Sequence, residues 1–334
     1  PPPPPPPPPF FLHADAAIPA PLWSRGLGDV YKRQGKKFPV SQKISDSVED
    51  IIKNYLKSDK VNEIDETINP YGFIGNLKKP FTILTWLASK SVPANVAGQS
   101  STAGYFFYET KEGFNFKSID SLIATDPVSQ EYTYTPKVVD EDDPNKDFKV
   151  LEYATNKNQN LINNLERGAY CSYRMYYNPV DSTFTSPQQG IFKLSNYVEK
   201  LENLGSDFTI NLPPVDGKGK TIGDIPSRFM TGVLDFGTIE KKDKNSLKKN
   251  SDPMEYQSQS MMRYNILFTQ QVEMTVPLNT VLSVGDLIKC KFAKVTTDEN
   301  KVPDDEQSGL YMICLLYTSP SPRDQRGSGI PWSA

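Results

Sequence analysis

The sequence predicts a β-rich α+β fold, and three observations carry that expectation. Tyrosine, phenylalanine, proline and asparagine are abundant, with 17 Tyr and 17 Phe. Flat rings pack well on a pleated, half-buried surface, and Pro and Asn favour the loops between strands. Several stretches alternate with period two, above all Phe114–Phe116 and Ala169–Tyr177. Between them lie short stretches with apolar residues at helical spacing.

The two ends are set aside before the elements are read. Pro1–Pro9 is a homopolymer run. Ser24–Gln34 back-translates into a DNA string whose reverse complement, read one base in, encodes Cys314–Asp324. That relation is expected of a library adaptor flanking a short insert. Residues 1–34 and 314–334 are therefore expected to be adaptor-derived and disordered, and Gly35–Ile313 to be the genuine insert, truncated at both ends. A polyproline ligand is rejected on the same ground, and Ala14–Ile18 lacks the flanks of a signal peptide.

Composition then bounds the function. The whole chain carries 37 basic and 40 acidic side chains. Without Arg25, Lys32, Arg33, Arg323, Arg326, Asp15, Asp29 and Asp324 the insert keeps 32 and 37, a net charge of −5. This argues against a nucleic-acid-binding surface, which needs clustered Lys and Arg. The single histidine, His13, lies in the adaptor, so the insert has no Ser-His-Asp or Cys-His nucleophile and no His-ligated metal. Cys171 and Cys290 read as small buried apolar residues. No apolar run is long enough for a membrane span. No catalytic, cofactor-binding or metal-binding residue is predicted.

The first predicted helix is Asp46–Lys57, with Asp46 as cap, Glu49 closing a capping box, and a stripe of Val48, Ile51, Ile52, Tyr55 and Leu56. Asn69-Pro70-Tyr71-Gly72 is a turn. Pro80 opens a second helix at a position where its missing N–H costs nothing. Phe81, Leu84, Leu87 and Ala88 share a face there, and Trp86 is assigned to the core or an interface. Ser91–Ser101 is a small-residue loop. Tyr105–Thr110, a turn at Lys111-Glu112-Gly113, and Phe114–Phe116 form a hairpin, and Ser118 caps a short helix carrying Ile119, Leu122 and Ile123. So aromatic a ribbon needs a partner sheet or another subunit. Tyr105, Phe106, Phe107, Tyr108, Phe114 and Phe116 are therefore core or interface candidates.

Tyr132–Thr135 alternates as a strand. Asp140–Asp143 reads as a solvated acidic loop without calcium-loop spacing. A boundary is placed there, giving lobes at 35–145 and 146–313. Asn160–Arg167 is a helix with Leu161, Ile162 and Leu165 inward and Gly168 as its stop. Ala169–Tyr177 carries aromatics on both faces, Tyr173 and Tyr177 on one, so it is expected to be covered by a core and by a neighbouring subunit. Leu194–Leu204 is a short helix or an irregular segment. Asp216–Thr221 contains Gly-Lys-Thr, but Pro214 stands where a phosphate loop needs glycine. Lys241–Lys249 is a basic polar loop. Met254–Phe268 is a helix with Met261, Tyr264, Leu267 and Phe268 inward. Strands follow at Val272–Val276, at Leu287–Phe292 after a Gly285-Asp286 turn, and at Ser308–Ile313.

Two sets of words in this order carry a resemblance. The first runs from Phe81 to Ala88 and from Gly104 to Leu122. The second comprises Arg263–Leu267, Val276-Pro277, Leu282–Ile288 and Ser308–Ile313. Together they resemble the baseplate hub subunit of contractile-tail bacteriophages, which is related to the front part of type VI secretion spike proteins. The resemblance implies two tail-tube-like antiparallel β-barrel or sandwich lobes, and no enzymatic activity. It implies a homotrimer in the virion tail baseplate, assembled in the host cytoplasm. It also implies tail tube protein, central spike or tail lysozyme, and wedge proteins as partners, with DNA passing through unbound and no membrane contact. Two further expectations stay open: a peptidoglycan- or glycan-cleaving tail enzyme using two carboxylates, and a Tyr-rich binding module. Among the acids, Glu109 and Glu112 sit on an exposed hairpin tip with nothing to raise a carboxyl pKa.

Overall fold

The computed structural model describes residues 37–75, 78–94, 102–134, 146–157, 160–179, 182–186, 190–196, 212–235, 250, 253–293, 304 and 307–317. Most of both terminal segments, and the loops at 140–143 and 241–249, lie outside these residues. Among the described residues the protein is a strand-rich α+β structure of several sheets, none of which closes into a barrel. Its compact units are discontinuous in sequence. One holds the described residues up to Ala124 together with Thr155–Gln271; the other holds Thr125–Ala154 and the described residues from Val272 onward. The sequence had suggested a single boundary at 145/146 instead.

The first unit opens with β1 (Lys37–Phe38) and α1 (Ile44–Asp50), which widens into a π-helical turn over Ile51–Tyr55. The helix starts two residues before its expected cap, Asp46. Its first N–H groups find partners elsewhere in the fold: Ile44 N donates to Asn69 O (3.3 Å) and Ser45 N to Thr67 Oγ1 (3.0 Å). A local capping side chain is then unnecessary. The expected stripe is inward: Val48, Ile51, Ile52 and Leu56 are buried and Tyr55 packs beside them.

Next come β2 (Val61–Ile64), β3 (Phe73–Ile74), which pairs with β1, and α2 (Pro80–Ala88), with Pro80 in its first turn. Then follow β4 (Tyr105–Glu109), β5 (Phe114–Ser118) and α3 (Ile119–Ile123), which Ser118 caps by accepting the Ser121 N–H. β4 and β5 form the expected hairpin, with Glu109 opposite Phe114. The partner sheet that the ribbon needed comes from its own chain, because β2 pairs parallel with β5. Leu84, Leu87, Tyr105 and Phe116 meet α1 in one core, where each fully buried large apolar side chain contributes about 1.5–3 kcal/mol.

Three strands follow: β6 (Tyr132–Tyr134), β7 (Lys149–Val150) and β8 (Glu152–Lys157). Helix α4 (Leu161–Arg167) is capped by Asn160, whose side chain accepts from Ile162 N and Asn163 N, and it stops at Gly168 with φ 72°. Ile162, expected inward, is exposed on its short helix. β9 (Cys171–Asn178) is the axis of a second sheet. β10 (Thr183–Phe184) and β11 (Ile191–Lys193) pair antiparallel with its two ends, and β12 (Arg228–Val233) runs parallel along it. Leu194–Asn196 is one 3-10 turn, and the rest of the segment to Leu204 lies outside the described residues. The Asp216–Thr221 loop is an Asx turn in which Asp216 Oδ1 accepts from Lys218 N and Lys220 N (3.1 and 3.0 Å). α5 (Pro253–Leu267) is the longest helix among the described residues.

In the second unit β6 lies between β7 and β14 (Leu287–Lys291), and β15 (Gly309–Met312) pairs antiparallel with β14. β13 (Gln270–Thr275) pairs with β8. The turn before β14 needs glycine: Gly285 has φ 97°, and its N–H donates to Ile313 O (2.9 Å). Asp286 Oδ2 accepts from Ser283 N at 2.7 Å. Leu287, which opens the strand opposite Met312, is fully buried. Ile288, Cys290 and Phe292 form the dry face with Tyr132, Val150 and Ile313.

Two outcomes follow. Gly113 has φ 146°, and a Cβ there would meet Lys60 O at 2.5 Å. Gly113→Ala is expected to cost about 1–3 kcal/mol, read as a lowered urea midpoint. Burial, with Glu131 nearby, pushes the Cys290 thiol up to about 12. Its thiolate is therefore scarce at pH 8, and a thiol reagent should leave Cys290 unlabelled until denaturant is added.

Candidate functional site

The hairpin aromatics turn out to be core. Tyr105 stacks on Phe116 with centroids 4.7 Å apart, and Phe107 stacks on Phe114 at 5.8 Å. All four are buried against α1 and α2. Phe106 points the other way, onto Tyr264 and Phe268 at 5.6 and 6.4 Å. Tyr108 is half-buried. Five of these six candidates are thus enclosed by their own chain and present no free surface to another subunit.

What closes the Phe106 side is helix α5. Arg263 forms a buried ion pair with Asp120 Oδ1, across 143 residues of sequence. The other oxygen, Asp120 Oδ2, accepts from Thr102 N and Thr102 Oγ1, both at 2.9 Å. From the next residue of the helix, Tyr264 Oη donates to Tyr105 O (2.6 Å) and accepts from Tyr105 N (3.2 Å). Burial pushes the Tyr264 phenol well above its ordinary range, so it remains a donor at any physiological pH. Asp120 belongs to the first set of sequence words and Arg263 to the second, so the structure brings the two sets together. The most buried residues of α5 are accordingly Tyr256, Ser258, Ser260, Met262 and Arg263, and of the stripe expected from spacing Tyr264 and Phe268 lie against Phe106. The helix is covered on two sides, where Ser258 bonds Ser172 and Arg263 pairs with Asp120.

Trp86 lies at the edge of this region, 37 % exposed, with its ring edge-on to Tyr71 and Phe73. Beside it Lys90 Nζ sits 4.8, 5.0 and 4.9 Å from the ring centroids of Tyr71, Trp86 and Tyr256. It donates to Tyr256 Oη at 3.0 Å. Burial lowers the Lys90 pKa, against an opposing pull from Asp235. The Tyr71 and Trp86 rings also favour the ammonium form.

The β9 sheet is two-faced. Ser172, Arg174, Tyr176 and Asn178 turn inward. Ser172 shares a hydrogen bond with Ser258 of α5 (3.1 Å), and Tyr176 Oη donates to Gln257 of the same helix. Tyr173, Met175 and Tyr177 turn outward, with Phe229, Thr231 and Val233 beside them on β12. Two cross-sheet rows result. Ile191, Tyr173 and Phe229 form one; Phe184, Tyr177 and Val233 form the other. Phe229 is 70 % exposed, Phe184 and Val233 are each 62 % exposed, and Ile191 is 39 % exposed. Tyr173 packs edge-on to Phe229 at 5.6 Å, and Tyr177 tilts against Phe184 at 5.1 Å. No charged side chain stands in either row; the nearest, Lys193, pairs with Asp224 at the rim (3.4 Å).

This outward face is the strongest candidate site among the described residues. It contains two predicted interface residues, Tyr173 and Tyr177. Sequence reading missed Phe229, Val233, Phe184 and Ile191. The alternation of Phe229, Thr231 and Val233 was a usable signal, but the segment is short and contains Gly232. Among the described residues no cluster of His, Cys, Asp and Glu could hold a metal ion, and no helix is long and apolar enough to cross a membrane. No protein-family model and no curated protein matches the chain.

Breaking the buried pair should be costly. Arg263→Met leaves Asp120 charged beneath α5 and is expected to lose about 3–5 kcal/mol in urea denaturation. Asp120→Leu/Arg263→Met should recover most of that loss, because neither charge then remains buried.

Proposed function

We propose that the protein is a structural subunit that acts by assembling with copies of itself, as a baseplate hub subunit of a contractile phage tail. In this reading a homotrimer joins the tail tube to the central spike or tail lysozyme. It meets wedge proteins outside and forms part of the channel through which DNA slides. The observation that carries the reading is the outward face of the β9 sheet. It presents on the order of 400 Å² of contiguous, uncharged apolar surface, the size at which exposed patches mark interaction sites. Like-charged copies of a mildly acidic chain meet most easily through an uncharged face. The resemblance of the two word sets supports the particular assembly, and so does the buried contact between Asp120 and Arg263, one from each set.

The magnitude also says that this face does not act alone. A stable interface needs about 800 Å² from each partner, roughly twice what the face offers. In a ring each subunit meets two neighbours, so a second contact surface supplies the remainder. The exposed aromatics lie on strands and not at loop tips, which favours flat packing against a neighbour over display of a Tyr-rich adhesive loop. Glu109 has its carboxyl pKa raised by burial, with Lys60 opposing. One such acid is not the paired arrangement that glycan cleavage uses.

The mass in solution of the protein without its adaptor-encoded ends tests the reading. An oligomer is expected at micromolar concentration, and Phe229→Glu should shift it towards monomer without changing the far-UV circular dichroism. A wild-type chain that stays monomeric at the highest attainable concentration overturns the assembly.

A further inference from the structure

The rings around Lys90 make an enclosure that no part of the assembly reading uses. Tyr71 comes from the turn before β3, Trp86 from α2, and Tyr256 from α5. Their centroids stand at nearly equal distances from one ammonium nitrogen, 4.8, 5.0 and 4.9 Å. A single ring under a lysine is common packing; here two rings, Tyr71 and Trp86, and the hydroxyl of Tyr256 surround one cation, and aromatic enclosures of this kind recognise ammonium groups. Among the described residues no carboxylate oxygen lies within ion-pair distance of Lys90, and its hydrogen bond is to a neutral phenol. The rings therefore share the stabilisation of the cation with the more distant carboxylate of Asp235.

Two of the three walls are held without Lys90. Tyr71 Oη donates to Asp235 Oδ2 (3.0 Å), which also accepts from Asn250 Nδ2 (2.9 Å). Asn250 in turn grips Gly72, accepting from its N–H and donating to its carbonyl, both at 2.8 Å. Trp86 stands edge-on to Tyr71 and Phe73, 5.5 and 5.4 Å away. The enclosure is thus preorganised, and such a site loses little on binding. Its Trp86 wall reaches solvent, so a small cation has a way in.

We propose that Tyr71, Trp86 and Tyr256 form a binding site for an organic ammonium ion, plugged in this structure by the chain's own Lys90. The fitting ligand is a methylated ammonium: charged, and apolar enough to lie against the rings of Tyr71 and Trp86. Because Lys90 is tethered, it competes at a high effective concentration, and a free cation enters only in exchange for it.

Tetramethylammonium chloride is the probe, with sodium chloride at equal ionic strength as control. In the wild-type chain the probe displaces Lys90, so limited acetylation followed by peptide mass spectrometry should show Lys90 reacting about threefold faster or more. Exposed Lys53 and Lys111 should not change. In Lys90→Ser the site is unplugged, and saturation-transfer NMR should report binding at least about tenfold tighter than to wild type. Adding Trp86→Ala should abolish it. An unchanged Lys90 rate in wild type overturns the proposal, and so does a folded Lys90→Ser that ignores the probe or binds it equally well without Trp86. The wild-type labelling decides the matter if the variants do not fold.

Discussion

The ion pair between Asp120 and Arg263 is the constraint on which the first unit depends. Two opposite charges leave water at a cost of several kcal/mol each, which is offset only where geometry and further hydrogen bonds are good. Here Asp120 also accepts two hydrogen bonds from Thr102, and the neighbouring Tyr264 clamps both backbone groups of Tyr105. Such a pair tolerates few alternative arrangements of α5. Its value lies more in choosing one register than in net stability. Once α5 is seated, Phe106 is covered, Gln259 accepts from Ala103 N, and Tyr256 reaches the Lys90 enclosure.

The other side of α5 explains the two faces of the β9 sheet. A helix that carries Gln257, Ser258 and Met262 towards that side asks for polar partners as well as apolar ones. Ser172 and Tyr176 meet the first need, and Phe192 and Leu194 meet the second around Met262. The polar residues of β9 are consequently drawn inward. Strict alternation then leaves Tyr173, Met175 and Tyr177 on the outside. Apolar exposure there follows from what the inward face must supply, and a partner subunit is its natural complement in the assembly proposed above.

Much of the local structure was legible in the residues. The hairpin turn at Gly113, the Pro80 start, the Ser118 and Asn160 caps and the Gly168 stop are all decided within a few residues, where backbone sterics and capping act. The Leu84–Leu87 face and the Ile288–Phe292 strand were legible for the same reason. The candidate site was legible only in part. Tyr173 and Tyr177 stood out by alternation, and the hairpin aromatics, left open between core and interface, proved to be core. Pattern shows that a ring must be covered; it cannot say by what. Their cover is α1 and α2 on one face and, for Phe106, α5 on the other, more than 130 residues further along the chain.

By itself the sequence determined where most helices and strands lie, where glycine turns bend the chain, and that strand-forming aromatics are abundant. Those are properties of short stretches and of composition. The tertiary structure alone decided that Asp46 caps nothing, that Ile162 is exposed, and that a helix with serine, glutamine and arginine is one of the most enclosed elements. It also decided which face of β9 meets water and that Lys90 lies among three rings. The physical reason is shared: burial and electrostatic pairing depend on which distant segments arrive, and residue spacing carries no record of that.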